Sequence, residues 1–287
     1  GRDHLVAQDL RKVEVRSRKI RRRSRACDPI RSGRTLEFTA KTVLKASRLG
    51  PVRYLSEDQL AAAGQYEPLP TFDAPPPTVN EQELRRELCE FVRRGYQQRL
   101  FISTEGSFSA RIGEDAFVIT RRGCDRMNLQ PADLVLVEEG RAEAGKRPSQ
   151  ASRNHRAIYQ RHPEFRAIVN ADPVNATAFS VTGVPLDTRT IPESYIFLRD
   201  VARIPFGVQF SDPAQLAEYV RPAQPIALQE NDGALVCGTT ILDAFDRLEV
   251  LESTAEAVIN ATSLGEVTPM PTAVIDELKQ AFLGGKP

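Results

Sequence analysis

A chain of 287 residues, 41% apolar and 27% charged, has the composition of a globular protein and the length for one large domain or two small ones. No apolar run approaches the roughly 20 residues that span a bilayer, and the charged N-terminus lacks the apolar core of a signal peptide, so a cytoplasmic location is expected. The four cysteines (Cys27, Cys89, Cys124, Cys237) are scattered without a CxxC pair, which argues against a structural zinc site and a disulfide framework.

The net charge of +1 is unevenly distributed. Residues 1–30 carry ten Lys/Arg and four Asp/Glu, a balance of +6 that leaves −5 for residues 31–287. The block RSRKIRRRSR at 16–25 could meet nucleic-acid phosphates or an acidic partner. It has no aromatic residue to stack on a base and no nucleic-acid-binding motif around it. Residues 1–34 therefore read as a basic arm, solvated or docked on a partner, with nucleic acid not the expected ligand.

Residues 35–64 read as a helical segment. LEFTAKTVLKASRLG predicts a helix stopped by Gly50-Pro51, and Ser56 then caps a short second helix. Prolines at 68, 70, 75, 76 and 77 make 65–79 an extended linker. A new helix is predicted from Asn80, with Glu83 completing a capping-box pattern and Leu84, Leu88, Phe91, Val92 and Tyr96 on one face. FSARIGEDAFVIT alternates as a hairpin turning at Gly113, and ADLVLVEEG reads as a further strand. A helix over 149–162, a strand over 165–170 and a helix over 173–182 follow. A second hairpin turns around Asn231-Asp232-Gly233, and a final helix covers about 240–263. Helices alternate with strands while the hairpins demand antiparallel pairs, so residues 80–287 are expected to form a mixed, largely antiparallel sheet covered by helices.

One repeat stands out. LEFTAKTVLKASRLGPV at 36–52 matches LESTAEAVINATSLGEV at 251–267 with an offset of 215, and nine of seventeen positions are identical. Shared helical periodicity would reproduce the Leu and Val positions but hardly the Glu-x-Thr-Ala and the closing Leu-Gly. Residues 35–64 are thus expected to be the tail of an earlier copy of the domain, and the chain the C-terminal portion of a tandem-duplicated protein.

Four segments of the domain, in order, resemble the class II aldolase/adducin family. TEGSFSARIGEDAFVITRRG resembles the family's Gly-Asn-x-Ser and Ile-Thr-Pro-Ser-Gly segments, and LQPADLVLVEEG its Leu-x-Pro-x-Asp-Leu-Val strand. RPSQASRNHRAIYQRHPEFRAIVNADPVNATAFS resembles its Pro-Ser-Ser-Glu helix and metal-binding junction, and NDGALVCGTTILDAFDRLEVLE its Asn-His-Gly hairpin and closing helix. The resemblance implies an α/β fold of the αβα-sandwich type. It also implies a homotetramer with active sites between subunits, and lyase or epimerase chemistry on sugar phosphates with a histidine-bound divalent metal, commonly zinc.

Carried over residue by residue, that site is altered. The family's paired histidines fall on Asn170 and Asp172, its third on Asp232, and its acid/base glutamate on Ala151, so no catalytic residue is assigned. The phosphate-pocket positions are Ser107, Thr120, Arg121, Arg122, Gly123, Ser149 and Gln150. Asp172 before Pro173 has a simple reading as a helix N-cap, Asp232-Gly233 as a tight hairpin pair, and Asn170 as a strand end bonding locally. His155 reads as a hydrogen-bonded structural histidine. His162, seven residues on, is too far along the helix to chelate one ion with it. Arg121 and Arg122 could clamp an anion, although on a hairpin one of them must point outward. Cys124 and Cys237 read as packed thiols.

The preferred expectation is therefore a catalytically degenerate module for assembly, regulation or anionic-ligand binding, without a cofactor. It would associate with itself, as a tetramer, or with an active aldolase-like copy, and with no membrane. The alternative is a metal-dependent lyase, aldolase or epimerase on a phosphorylated sugar or related carbonyl compound. It would use Asn170, Asp172 and Asp232 as oxygen ligands for Mg, Ca or Mn, less readily for Zn.

Overall fold

The computed structural model describes residues 29–63 and 67–284, so the basic block at 16–25 lies outside the described residues. Two helices come first, α1 (Pro29–Leu49) and α2 (Glu57–Ala63). Gly50 closes α1 by donating to the Ala46 carbonyl, and Ser56 and Gln59 exchange hydrogen bonds at the start of α2. The proline-rich stretch is more than a linker: it contributes β1 (Thr71–Phe72), which pairs in parallel with a later strand.

Helix α3 spans Val79–Gln97. Its N-cap is Thr78, whose side chain accepts from the Glu81 amide, and not the expected Asn80. The proline before Thr78 holds the chain extended and leaves the threonine at the first turn. Strands β2 (Ser107–Arg111), β3 (Ala116–Ile119), β4 (Val135–Glu138) and β5 (Arg141–Glu143) form a meander. Glu139 and Gly140 both have positive φ, which suits the tight β4–β5 turn. Then come α4 (Ser152–Arg161), β6 (Ala167–Ala171) and α5 (Val174–Ser180). A stretch that sequence periodicity did not resolve supplies α6 (Pro192–Leu198), β7 (Ala202–Ile204), α7 (Val208–Ser211) and α8 (Pro213–Glu218). The chain ends with β8 (Ile226–Gln229), β9 (Ala234–Gly238), α9 (Ile241–Thr262) and α10 (Thr272–Phe282).

Among the described residues nine strands make one sheet, in the order β1-β5-β4-β3-β2-β6-β9-β8-β7. The pairs β1/β5 and β7/β8 are parallel and the rest antiparallel, as a mixed sheet requires. Strand alternation divides the core in two. On one face Phe108, Ala110, Val118, Leu136, Val169 and Val236 pack with Leu88 and Val92 of α3 and Phe245 and Leu248 of α9. On the other, Phe117, Ile119, Ile168, Leu235 and Cys237 pack with Ile158 and Tyr159 of α4 and Leu216 of α8. The sheet thus lies between two helical layers, with α5 and α6 against α9 and α1 outside α5. No helix of the described residues is long and apolar enough to cross a membrane.

Candidate functional site

Several chain segments meet at one end of the central strands and enclose a cavity of about 450 Å³. Ser107 opens β2, Asn170 and Asp172 close β6, and Gln229, Asp232 and Ala234 come from the β8–β9 hairpin. Arg122 and Gly123 follow β3, while Ser149, Gln150, Ala151 and Asn154 surround the start of α4. Backbone pairing beyond β3 brings the last two groups together: the Ser149 amide donates to Thr120 O, and the Arg122 amide to Arg147 O.

Most of the expected pocket residues therefore line one wall. The Ser107 and Ser149 hydroxyls are hydrogen-bonded, and Arg122 donates from Nη1 to Gln150 Oε1 at 3.0 Å. Two positions do not join them. Thr120 is buried and accepts from the Phe108 amide, and Arg121 lies on the exposed bridge to Pro148, outside the cavity lining. Ala151 puts a methyl group in the lining where the resemblance implies an acid/base glutamate.

Sequence reasoning missed Glu105, Arg126, Asn154, Gln209, Phe210 and Gln229, which also line the cavity. Arg126 is buried and donates to the carbonyls of Glu105, Gly106, Arg121 and Cys124, tying the loop before β2 to the loop after β3. Burial lowers its pKa to about 10, so it stays charged at neutral pH. Nothing in its sequence neighbourhood marks that role, because its acceptors are backbone atoms.

Behind Asn170 and Gln229, which line the cavity, runs a buried relay of neutral groups. Tyr159 donates to Ser109 Oγ at 2.8 Å, Ser109 donates to His155 Nδ1 at 2.7 Å, and His155 Nε2 donates to Asn170 Oδ1 at 2.6 Å. Asn170 Nδ2 then donates to Gln229 Oε1. Asn170 has an acceptor role, which assigns His155 the tautomer with hydrogen on Nε2. Burial holds the His155 pKa down at about 4, so the ring is neutral. His162 points elsewhere, to the Ala217 carbonyl.

Asp172 and Asp232 both face this cavity, and both carboxyls are pushed above their ordinary range. Burial first, then the charges of Asp232 and Glu105, push the Asp172 carboxyl well above the usual carboxylate range. Asp232 is pushed up to about 6 by burial and by Glu105, against a long hydrogen bond from Gln209 Nε2 at 3.5 Å. Its own surface opens on the cavity, so water there tempers the rise. Of the two, Asp172 holds its proton more firmly.

Both aspartates differ from their simple structural readings. Asp172 does not cap α5: the cap position is Pro173, which has no side-chain cap bond. The carboxylate of Glu252, on α9, accepts from the Asn175 and Ala176 amides instead. Asp232 is not in a two-residue turn. The hairpin loop runs over four residues, 230–233, and Asn231 is its left-handed residue, with φ of 54°. Gly233 is required for another reason: a Cβ there would lie 2.1 Å from Asp172 Oδ1 and 2.4 Å from Ala171 O.

These residues do not fit the histidine-bound metal that the resemblance implies. Both His155 nitrogens are committed to the relay, so that imidazole is not free for such an ion, and Asn170 Oδ1 already accepts from His155 Nε2. Among the described residues, no three His, Cys, Asp or Glu side chains converge as a metal-binding group.

The three cysteines among the described residues are packed. Cys89 and Cys237 are buried and Cys124 is half-buried; burial raises all three thiols, Cys89 to about 11.

The chain is 27% identical over 211 residues to the 3-oxo-tetronate 4-phosphate decarboxylase of Cupriavidus necator, covering 70% of this chain and 97% of that protein. It is 28% identical over 182 residues to the L-fuculose phosphate aldolase of Methanococcus maripaludis, covering 63% and 96%. A shorter match, 35% over 105 residues, covers 36% of this chain and 49% of the methylthioribulose-1-phosphate dehydratase of Methylococcus capsulatus. The crystal structure of YgbL from Escherichia coli superposes with a TM-score of 0.61 at 27% identity, over 70% of this chain and 99% of that one. The profile of the family described as Class II Aldolase and Adducin N-terminal domain matches residues 86–259, a span that carries every expected site position. The chain belongs to the class II aldolase/adducin family.

Proposed function

We propose that this chain is a lyase-type catalyst for a small phosphorylated carbonyl compound, with Asp172 and Asp232 as its proton-transferring pair. The observation that carries this reading is the pair itself: two carboxylates at the vacated histidine positions share one cavity and hold their protons unequally. In cleavage of a β-hydroxy carbonyl compound, ionised Asp232 takes the hydroxyl proton. The neighbouring carbon–carbon bond breaks as that oxygen becomes a carbonyl, and its electron pair forms an enol as Asp172 gives its proton to the other carbonyl oxygen. The opposite wall suits a phosphate, with the Ser107 and Ser149 hydroxyls, the Gln150 amide and the Arg122 guanidinium. The names of the three relatives above each specify a phosphorylated compound.

This reading replaces the expectation of an emptied, non-catalytic module, because the altered positions retain groups that can exchange protons and the relatives are named for catalysis. The test is turnover of phosphorylated ketoses and 3-oxo sugar-acid phosphates by the purified chain, following released aldehyde or carbon dioxide. Asp172→Asn and Asp232→Asn should each lower kcat by about 10²–10⁴, and Arg122→Gln should raise KM. Calorimetric binding of such compounds without turnover would return the chain to the ligand-binding reading.

A second reading rests on the repulsion between the two carboxylates, which a hard divalent cation would relieve. Thermal stabilisation by Mg²⁺ or Mn²⁺, lost in both Asp→Asn variants, would favour it. Turnover unchanged by chelator would exclude it.

A further inference from the structure

The repeat at an offset of 215 extends into the backbone. Gly50 N donates to Ala46 O at 3.1 Å, and Gly265 N donates to Ala261 O at 3.1 Å. Helix α2 begins at Glu57 and helix α10 at Thr272, again 215 residues apart. The two segments are one structural unit, present twice: a helix, a glycine stop, an extended step and a second helix.

Their burial is complementary. Leu44 and Leu60 of the first unit are exposed, whereas their counterparts Ile259 and Ile275 are buried against the domain. Conversely, Ala46 is 0% exposed, and Leu49 and Val52 pack on the core. Their counterparts Ala261 and Leu264 are exposed, Leu264 at 91%. Such a unit has two faces, one for the domain that carries it and one for a different domain. Val43 and its counterpart Val258 are buried in both units, but at Leu44/Ile259, Leu60/Ile275 and Ala46/Ala261 the C-terminal unit uses the first face here and the N-terminal unit the second.

The second face has a defined seat. It is the groove beside α5 and the turn after it: Arg53 N donates to Val181 O at 2.8 Å, and Val184 Cγ2 lies 3.5 Å from where a Cβ on Gly50 would be. Asn231 Nδ2 donates to Arg53 O at 2.7 Å, so the occupant also backs the turn that carries Asp232.

We infer that residues 261–267 are a docking strip for a second domain of this same fold, and that they seat in the groove filled here by residues 46–52. The N-terminal unit is then the tail of such a domain, and it plugs this chain's own groove. The partner is a copy of the fold whose groove is open. This inference is independent of the catalytic reading, because none of its residues except Asn231 adjoins the cavity.

The test uses the full chain with its groove opened by Ala46→Arg, which places a charged side chain at a fully buried contact. In that background, Gly265→Cys with Val184→Cys should form a disulfide between molecules, and neither single variant should. Gly50→Cys with Val184→Cys, in the otherwise unaltered chain, should close within one molecule. By sedimentation velocity the opened chain should form larger species in a concentration-dependent way, and Leu264→Asp should abolish them. If Ala46→Arg loses its circular dichroism, the half-buried Leu49→Asp is the milder opener for the same cysteine trap. An opened, folded chain that neither cross-links nor grows in mass overturns the inference, as does growth that Leu264→Asp leaves unchanged.

Discussion

At the scale of single residues, the site sets opposite pH dependences against each other. Asp232 has its pKa raised to about 6, above its unfolded value of about 4, so the folded state keeps a proton that the unfolded chain has lost. Its contribution therefore falls as pH rises through that window. His155 is depressed to about 4, below an unfolded value of about 6.5, so the unfolded chain gains a proton that the folded state refuses. Its contribution falls as pH drops through an overlapping window. Asp172, also raised, adds a second fall with rising pH, so urea unfolding between pH 4 and 6.5 should lose stability as pH rises, and Asp232→Asn should flatten that slope. An unchanged slope in that variant would contradict the assignment. Asp172→Asn should raise the melting temperature at pH 7 while removing activity, as expected where function holds a carboxyl in a costly place. Gly233→Ala forces a methyl group against Asp172 and a backbone carbonyl, and should destabilise by about 1–3 kcal/mol in equilibrium unfolding.

At the scale of elements, the junction between β6 and α5 shows how a short motif misleads. Asp172-Pro173 has the composition of a helix start, yet α5 takes its amide acceptor from Glu252, 77 positions along the chain from Asn175. Local sequence signals cannot register a partner at that distance, and so the aspartate was left for the cavity. Glu252→Ala should cost about 1–3 kcal/mol, because it strips a charged acceptor from two amides. Denaturant unfolding would check this, and a value near zero would mean that water replaces the carboxylate. The hairpins and long helices were legible because their periodicity persists over several turns or strand steps. The stretch from α6 to α8 was not, since helices of four to seven residues carry too few positions to show a period. Gln209 and Phe210, on the wall of the cavity, come from that stretch.

At the scale of the whole molecule, the two copies of the helical unit predict unequal tolerance at equivalent positions. Leu44→Gln and Leu60→Gln should change stability by less than about 0.5 kcal/mol, because both side chains are exposed. Ile259→Gln and Ile275→Gln should each cost about 2–4 kcal/mol, because they bury a polar amide in a packed site. Equal costs at equivalent positions, measured by denaturation of the full chain, would refute the complementary-face argument. The sequence by itself determined the fold family, the mixed sheet, most helix and strand positions and the residues at the altered histidine sites. Each of these rests on periodicity or on a motif read along the chain. Only the tertiary structure decided that Asn170 belongs to a relay, that Asp172 and Asp232 share one cavity, and that at several equivalent positions one repeat buries what the other exposes. Those facts depend on which distant backbone and side-chain atoms meet, and burial and charge coupling act through space without regard to position along the chain.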